Sequence, residues 1–597
     1  MASTYKTPGV YVNEISAFPP SVAAVPTAIP AFLGFTEIAK DLPRNGASPT
    51  VRKTTKISSL LEYEATFGCG AEVKDVSVTF NEDNSINEIN LGAKSFYLYD
   101  SIRMFYLNGG GDCYIASVGT YGEFDAIDDK FSAFKTALDS LEKEQEPTLI
   151  LFPDAVVLDG DLYSLQQAAL AQCAKLQNRF VIMDLLESGE GVTCSEDGQE
   201  KFRDNIGMNN LKWGAAYTPY LQTNLAKDIS YASLSDETRK ALDDLVPASN
   251  TALKDTIAGL QSAMGLTEQL KTAVAAYLET AESANLDEVL LKAANPEDAT
   301  DATTYAAAVT GLGDVVAALE EGTATSELKP VTVAVGALRK SFDADSAALE
   351  GQDVKQVKGV FRQLASQVTG VVAAAQSCVD TADQSYLMQS VDYAKLVKEV
   401  SNSLDTLPPS GTIAGVYSAT DSSRGVWKAP ANVSLNNVVG LTENITSDIQ
   451  ESLNIDVVAG KSINAIRTFP GKGVLVWGAR TLAGNDNDWR YINVRRFLIM
   501  AEESIRLSTA WAVFEPNDAN LWVKLKAMIE NFLIQQWKDG ALAGSTPAEA
   551  FDVTCGLGTT MTGQDILEGY LRVTVRVAVV RPAEFIVLSF MQKMQES

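Results

Sequence analysis

The most informative gap in this sequence of 597 residues is histidine, which is absent. Without an imidazole the chain has no histidine general base, no Ser-His-Asp or Cys-His nucleophile system and no His-ligated metal. Carboxylate and lysine chemistry is not excluded. Hydrolytic mechanisms that depend on histidine are therefore ruled out at the outset.

Cysteine is also scarce, and long apolar runs are missing. Six cysteines are scattered without a CxxC or a metal-binding spacing, which predicts reduced, mostly buried thiols in a chain made in a cytoplasm. No apolar run approaches the ~20 residues that span a bilayer. The first residues lack a basic region followed by an apolar stretch, so we expect neither a secretory signal nor direct membrane insertion.

Positive charge is in deficit. The chain has 48 Lys+Arg against 76 Asp+Glu, a net charge of −28. An acidic surface disfavours nucleic acid and anionic membranes as partners. The balance is uneven, because residues 235–405 hold 13 basic and 26 acidic residues, whereas residues 461–540 hold 11 and 8. The locally basic segment is either chance or a face that meets an acidic partner.

The length predicts two to four domains. Apolar strand-like runs alternate with helical periodicity in the first third, which favours a largely parallel sheet with crossover helices. An Ala-rich segment with helical periodicity and no Trp follows, and six of the seven tryptophans then lie between Trp427 and Trp537. The predicted class is α/β (α+β) and multidomain. Its parts are an extended arm (1–27), an α/β domain (28–234), a helical acidic insertion (235–407), a C-terminal domain (408–570) and a strand arm (571–597).

Strand-like segments stand near both ends of the sequence. An alternating strand near the start contains Val10, Tyr11, Val12 and Ile15, before a stiff proline-rich stretch. Residues 571–580 also alternate, and after Arg581-Pro582 a nearly continuous apolar run contains Phe585, Ile586, Val587, Leu588 and Phe590. An apolar strand left at a sheet edge is an aggregation hazard. We expect these arms to be paired, either within the molecule or by another copy.

Motifs for nucleotide and cofactor binding fail. A P-loop requires Gly five residues before the Gly-Lys step, where Gly460-Lys461-Ser462 has Ile455. The pattern GxGxxG is missing, and the glycine clusters are better explained as turns. The sequence therefore predicts no cofactor, no metal site and no catalytic residues.

Carboxylates are abundant, so neighbouring pairs carry little information. Glu502-Glu503 lies on a predicted helix with Arg495, Arg496 and Arg506 nearby, and ion pairing there is favoured over a catalytic pair. Asp486 and Asp488 suit a solvated turn better than a cation site.

Several blocks resemble contractile tail sheath proteins of phages and phage-tail-like particles, in matching order. The N-terminal blocks are Thr7-Pro-Gly-Val-Tyr-Val-Asn-Glu14, Val25-Pro-Thr-Ala-Ile-Pro-Ala-Phe-Leu-Gly-Phe-Thr36 and Phe105-Tyr-Leu-Asn-Gly-Gly-Gly-Asp-Cys-Tyr-Ile115. The C-terminal blocks are Gly425-Val-Trp-Lys-Ala-Pro-Ala-Asn432, Val476-Trp-Gly-Ala-Arg-Thr481, Trp489-Arg-Tyr-Ile-Asn-Val-Arg-Arg496, Phe514-Glu-Pro-Asn517 and Arg581-Pro-Ala-Glu-Phe585. The chain departs from the family pattern in the helical insertion, a region in which such proteins vary.

The resemblance implies a structural subunit rather than an enzyme. Such subunits polymerise helically around an inner tube, exchange terminal strands with neighbours and contract to drive the tube through an envelope. The implied partners are further copies of the chain, the tube protein, and baseplate and terminator or cap proteins. The resemblance also implies that the chain is assembled in a bacterial cytoplasm. It would there become part of a phage tail, or of a phage-tail-like particle that can be released from the cell.

Three hypotheses stay open at this point. Arg495, Arg496 and Arg506 are candidates for contact with an acidic patch of the tube, against the alternative of intrahelical pairing. The insertion is expected on the outer surface. Alternative functions are a non-contractile cap or baseplate-associated component and, far behind, a carboxylate-dependent α/β hydrolase.

Overall fold

The computed structural model describes residues 22–39, 54–81, 83–90, 96–186, 196–225, 227, 229–277, 316–317, 320, 329–347 and 354–588. The chain divides into two compact units. The sheet unit comprises Met1–Ala71, Ser95–Leu225 and Thr406–Ser597, and the helical unit comprises Glu72–Lys94 and Ala226–Asp405.

The described residues form strands and helices of both units in a mixed order along the chain. The strands are β1 (Pro30–Thr36), β2 (Thr55–Ile57), β3 (Ser77–Phe80), β4 (Ile86–Asn90), β5 (Cys113–Thr120), β6 (Leu149–Leu151), β7 (Phe180–Asp184), β8 (Gly214–Thr218), β9 (Leu221–Thr223), β10 (Thr406–Leu407), β11 (Val433–Ser434), β12 (Val438–Leu441), β13 (Ile463–Phe469), β14 (Gly473–Val476), β15 (Phe551–Cys555) and β16 (Val573–Val577). The helices are α1 (Leu60–Phe67), α2 (Leu98–Leu107), α3 (Lys130–Ser140), α4 (Asp161–Leu176), α5 (Glu196–Asn205), α6 (Asp236–Asp244), α7 (Thr251–Tyr277), α8 (Lys329–Ala347), α9 (Val354–Gln389), α10 (Val391–Leu404), α11 (Ser410–Arg424), α12 (Ser447–Asn454), α13 (Ile492–Ser508), α14 (Ala519–Lys538), α15 (Pro547–Ala550) and α16 (Gly563–Leu567).

The centre of the sheet unit is a nine-stranded sheet of order β11-β14-β13-β8-β7-β6-β1-β5-β2. Its six inner strands, from β13 to β5, pair in parallel, while β2, β14 and β11 pair antiparallel at the two edges. Every residue of β1, β7 and β8 is buried. Burial of both faces explains why these strands are continuous apolar runs without polar alternation.

Two buried aspartates connect this sheet to the N-termini of helices α11 and α2. Asp184, at the end of β7, accepts hydrogen bonds from the Ser410 backbone N–H at 2.8 Å and the Ser410 hydroxyl at 2.5 Å, at the start of α11. Asp154 accepts backbone bonds from Tyr97 and Leu98 at the start of α2. A carboxylate at a helix N-terminus satisfies N–H groups that lack partners within the helix.

Helices α2 and α11 approach each other closely because α11 presents glycine at two positions four residues apart. A Cβ at Gly411 would lie 2.7 Å from the carbonyl oxygen of Ser101, and one at Gly415 would lie 2.6 Å from that of Phe105. Neither distance is possible for a real side chain. Glycine is therefore required at both positions if the two backbones are to pack in this way.

A second layer of the sheet unit is formed by α13, α14 and the two-stranded β15–β16 sheet. Asp518 caps α14, since its side chain accepts the N–H of Leu521 at 2.9 Å. The apolar core between these elements includes Phe497, Ile529, Leu533 and Val553. Trp522 and Trp537 lie on α14, and Trp427 and Trp537 pack against this core.

The helical unit has its own core. Val78 of the β3–β4 hairpin, and Val76 just before it, are buried with side chains of α6, α7, α9 and α10. The rings of Tyr386 and Tyr393 stack with centroids 4.6 Å apart, and Tyr231 meets both rings edge-on. The hairpin therefore belongs to the helical unit, although the rest of that unit begins only at Ala226.

The predicted fold class is confirmed, because the chain is a mixed α/β protein with a largely parallel sheet and a separate helical unit. Differences are local. The strand expected over 571–580 is shorter, at Val573–Val577, and pairs within its own chain with β15. The insertion was predicted at 235–407, and the helical unit of the structure consists of Ala226–Asp405 together with Glu72–Lys94.

Candidate functional site at the terminal segments

The β15–β16 sheet of the sheet unit has edges that could accept further strands. In the described part of the chain it has only two strands, paired antiparallel from Phe551–Val577 to Cys555–Val573. The far side of each strand therefore lacks a strand partner among those residues. An open edge with unpaired N–H and C=O groups is a template for strand addition.

The alternation of β16 explains how this sheet is held. Val573, Val575 and Val577 are half-buried and face the core formed by α13 and α14, whereas Thr574 and Arg576 are exposed. One face is therefore fixed by packing, which specifies the strand register. The sheet is anchored on a face and free at its edges.

After β16 the chain loses its backbone pairing and its side chains become exposed. Val579 still bridges to Leu542, and the Val580 N–H donates to the Ala541 carbonyl at 3.1 Å. From Arg581 to Leu588 there is no regular secondary structure. The four apolar side chains that end this segment are all exposed: Phe585 by 69%, Ile586 by 78%, Val587 by 87% and Leu588 by 72%.

Glu584 lies directly before these exposed residues and, unlike them, is held by several hydrogen bonds. Its carboxylate accepts hydrogen bonds from Arg480 Nε at 2.9 Å and Arg480 Nη2 at 2.7 Å. It also accepts Asn454 Nδ2 at 2.8 Å and the Tyr491 hydroxyl at 3.0 Å. Four donors converge on one side chain, so the base of the terminal segment is fixed at this residue.

The N-terminal segment is held in a comparable way where it enters the described structure. The Val25 N–H donates to Ser504 Oγ at 3.0 Å, and the Ala23 N–H donates to Ser508 Oγ at 3.3 Å. These serines lie one turn apart on α13. Val22 and Val25 pack against the cores beside α13 and α14.

Arg496 closes this attachment from inside. Its Nη1 and Nη2 donate to the two carboxylate oxygens of Asp421 at 3.0 Å and 2.5 Å, and Nη2 also donates to the Thr27 carbonyl at 2.9 Å. The Thr27 hydroxyl donates to Asp421 at 2.5 Å. The guanidinium lies 4.5 Å from the ring centre of Tyr417. The pair is buried, with 3% and 6% of the two side chains exposed.

The three arginines considered for tube contact therefore have different surroundings. Arg496 is committed to Asp421 and Thr27, and Arg495 is buried between Trp213 and Trp489, at 4.2 Å and 4.6 Å, where it pairs with Glu502 at 3.0 Å. Burial lowers the pKa of Arg495, with Glu502 opposing the shift. Neither guanidinium is at the surface. Only Arg506 is exposed, and it pairs with Glu503 at 2.5 Å.

The carboxylates that were considered as a catalytic pair, Glu502 and Glu503, take part in the same ion pairs. Glu502 and Glu503 are each bound by an arginine of their own helix rather than by each other. Asp486 accepts the backbone N–H of Asp488 at 2.8 Å, which is a turn. Across the described ranges no group of three metal-ligating side chains comes together.

Several predicted arm residues cannot be placed. Val10, Tyr11, Val12 and Ile15 lie outside the described residues, as does Phe590. No helix in the described residues has the length and hydropathy required of a membrane span.

Sequence reasoning missed the residues that anchor the terminal segments. Asp421 and Asn454 gave no signal, because a single polar residue on an ordinary helix has many explanations. Glu584 and Arg480 did lie within blocks singled out for their resemblance. Their pairing across more than a hundred residues of sequence needed the fold to be seen.

Residues 484–593 match the family model described as the phage tail sheath C-terminal domain. A curated tail sheath protein of Salmonella phage ViI is 28% identical over 140 residues, which cover 23% of this chain and 21% of that protein. The matched segment thus spans about a fifth of the length of that relative. The resemblance read from the sequence is confirmed.

Two solved structures share the fold over nearly the whole chain. The sheath complex of PVC, an extracellular contractile injection system, in its contracted state has a TM-score of 0.50 at 20% identity, covering 99% of both chains. A chain of the anti-feeding prophage baseplate in its contracted state has a TM-score of 0.53 at 22% identity, covering 98% of this chain and 99% of that one. At these identities the likeness concerns the fold.

Proposed function

We propose that the chain is a structural subunit of a contractile tail sheath, which polymerises around an inner tube and contracts to drive it through a target envelope. One observation carries the proposal: an anchored two-stranded sheet with open edges belongs to the same chain as an exposed apolar terminal segment. The sheath-like blocks and the fold likeness support it. The role needs no catalytic centre and no nucleotide.

Strand donation explains both features together. The apolar side chains of Phe585–Leu588 are exposed, although burying each one in a neighbour would contribute on the order of 1.5–3 kcal/mol. Donation also gives the open edges of β15–β16 the backbone partners that they lack. Each chain then needs a second copy both as donor and as acceptor, which generates an open chain of subunits.

Exchanged strands suit a lattice that changes shape. Backbone hydrogen bonds keep neighbours connected, while side-chain contacts elsewhere break and form again as subunits rotate and move outward. The energy for contraction then comes from packing stored at assembly. Terminal segments anchored at Thr27 and Glu584 would transmit the displacement to the sheet unit rather than unravel.

The partners follow from this role. They are copies of the chain, a tube protein inside the cylinder, and baseplate and terminator or cap proteins at its ends. Arg506 is the member of the proposed tube-contact set that remains accessible, so we restrict the hypothesis of tube contact to it. Assembly in a bacterial cytoplasm, and use in a phage tail or a released particle, belong to the same proposal.

A baseplate-associated role is the second candidate, because the fold is also shared with a chain of the anti-feeding prophage baseplate structure. The two roles differ in how far the chain polymerises. A sheath subunit continues ring after ring, whereas a baseplate component stops after one.

Negative-stain electron microscopy of the purified chain, alone and with its tube protein, tests the proposal. We expect hollow striated cylinders from the full chain and none after removal of residues 1–20 or 585–597. Removal of the exposed Arg581–Asp488 ion pair by Asp488→Asn is the matched control and should leave cylinders intact. Discrete particles in every condition would refute the sheath role, and single closed rings would favour the baseplate component.

A further inference from the structure

The C-terminal segment changes from fixed to free within one residue. Glu584 accepts four side-chain hydrogen bonds, as described above, whereas Phe585–Leu588 make no hydrogen bond in the described structure. Upstream, the Val580 N–H is bound to Ala541. Pro582 lies between these two points and cannot donate to a neighbouring strand. The direction in which the segment leaves the fold is thus set at two points four residues apart.

The anchor is built to remain charged. Only 5% of the Arg480 side chain and 23% of the Glu584 side chain are exposed. Burial alone would raise the pKa of Glu584, but hydrogen bonds from Arg480 and Asn454 outweigh it and lower the pKa below its usual range. Arg480 is itself held, since its backbone N–H donates to Asn464 Oδ1 at 2.8 Å and its Nη1 to the Asn454 carbonyl at 3.1 Å.

A fixed starting point matters for a donated strand because side chains alternate between the two faces. Phe585 and Val587 share one face, and Ile586 and Leu588 share the other. A slip of one residue would exchange the two sets against the acceptor sheet. All four residues are large and apolar, so the segment itself discriminates weakly between registers. Something outside the segment must select one.

We propose that Arg480 and Glu584 form a clamp that sets the register in which the segment beginning at Phe585 pairs with a second copy of the chain. The inference rests on the sheath function proposed above and adds the residues that position the donated strand. They act on the base of the arm and do not touch the acceptor. Asn454 and Tyr491 complete the clamp by holding the remaining lone pairs of the carboxylate.

The test uses the full-length chain with a photo-reactive amino acid in place of Val587. Inter-chain products from assembled cylinders are mapped by mass spectrometry. The variants are Glu584→Gln, which keeps the size of the side chain, and the double change Arg480→Met with Glu584→Met. The double variant guards against misfolding, because replacing a buried ion pair by apolar groups of similar volume is often neutral for stability. Asp488→Asn, which removes the exposed pair with Arg581 in the same segment, is the control.

The unaltered clamp and the control should give products at one or two adjacent acceptor positions. The clamp variants should keep their tryptophan emission and spread the products over positions shifted by one or more residues. The concentration at which cylinders form should rise roughly tenfold, as expected for loss of a charge-assisted hydrogen-bonded pair. Folded variants with the unaltered product map would overturn the clamp while leaving strand donation intact. No inter-chain product with the clamp unaltered would instead refute the donation on which it depends.

Discussion

Replacing Asp421 by asparagine removes the charge that neutralises the buried guanidinium of Arg496. The pair is bidentate, and at most 6% of either side chain is exposed. Breaking a buried pair by removing one partner typically costs about 3–5 kcal/mol, since the other charge stays buried. An asparagine retains one acceptor, so we expect a loss of about 3 kcal/mol in the free energy of unfolding, at the lower end of that range.

The assay is urea denaturation followed by tryptophan fluorescence. All seven tryptophans belong to the sheet unit, so the signal reports on the unit that contains the pair. Glu530→Gln is the control, because its pair with Lys526 is exposed and spans 3.7 Å. Exposed pairs one turn apart contribute about 0.3–0.5 kcal/mol.

The double variant Arg496→Met with Asp421→Leu separates charge from packing. Removing both charges should recover much of the loss caused by Asp421→Asn alone. Equal, small losses for Asp421→Asn and Glu530→Gln would refute the reasoning that this arginine serves the fold. A double variant less stable than the single one would refute the assignment of the cost to an unpaired charge.

Three further expectations concern pH, domain structure and thiols. Burial raises the pKa of Asp184 to about 7, above its ordinary value of 3.8, so the folded chain keeps a proton that the unfolded chain releases. This contribution to stability is present below about pH 4 and is lost as the pH rises to about 7. The free energy of unfolding of Asp184→Asn relative to the unaltered chain should therefore increase between about pH 4 and 7, on the order of 1 kcal/mol per pH unit, and stay level above that range; an unchanged difference would contradict it. Deletion of 235–405 alone should cause aggregation, because Val76 and Val78 lose the core in which they are buried. Deletion of 72–94 together with 226–405 should leave a soluble sheet unit that still assembles. Size-exclusion chromatography and microscopy compare the two variants, and equal behaviour would contradict the division into units. Burial raises the pKa of both Cys113 and Cys173 to about 12. Iodoacetamide at pH 8 should therefore modify the exposed Cys69 well before either buried thiol. Faster modification of Cys113 or Cys173 would contradict their burial.

Much of the fold was predictable because its signals are local. Strands β1 and β7 are nearly continuous apolar runs, which the sequence analysis read as buried strands of a largely parallel sheet. The cap of α14 at Asp518 is a signal of the same local kind, since Asp before a periodic apolar segment marks the start of a helix. Periodicity and capping depend on neighbours in sequence, so they can be read without the fold.

Contacts between distant residues explain what the sequence could not show. The membership of the β3–β4 hairpin in the helical unit depends on packing with residues more than 150 positions away. Arg495 and Arg496 were considered as surface charges, because nothing local shows that Trp213 and Asp421 surround them. The same limit hid the pairing of Arg480 with Glu584. The strand arms stay a prediction, because residues 10–15 and Phe590 lie outside the described residues and Arg581–Leu588 form no strand.

The most direct test of the account is a cryo-electron microscopy map of cylinders formed by the full chain. The account predicts that the β15–β16 sheet gains strands from other copies, with residues 585–590 of one copy and residues 10–15 of another paired to its two edges. A map in which that sheet keeps two strands, with both terminal segments folded onto their own chain, would contradict it.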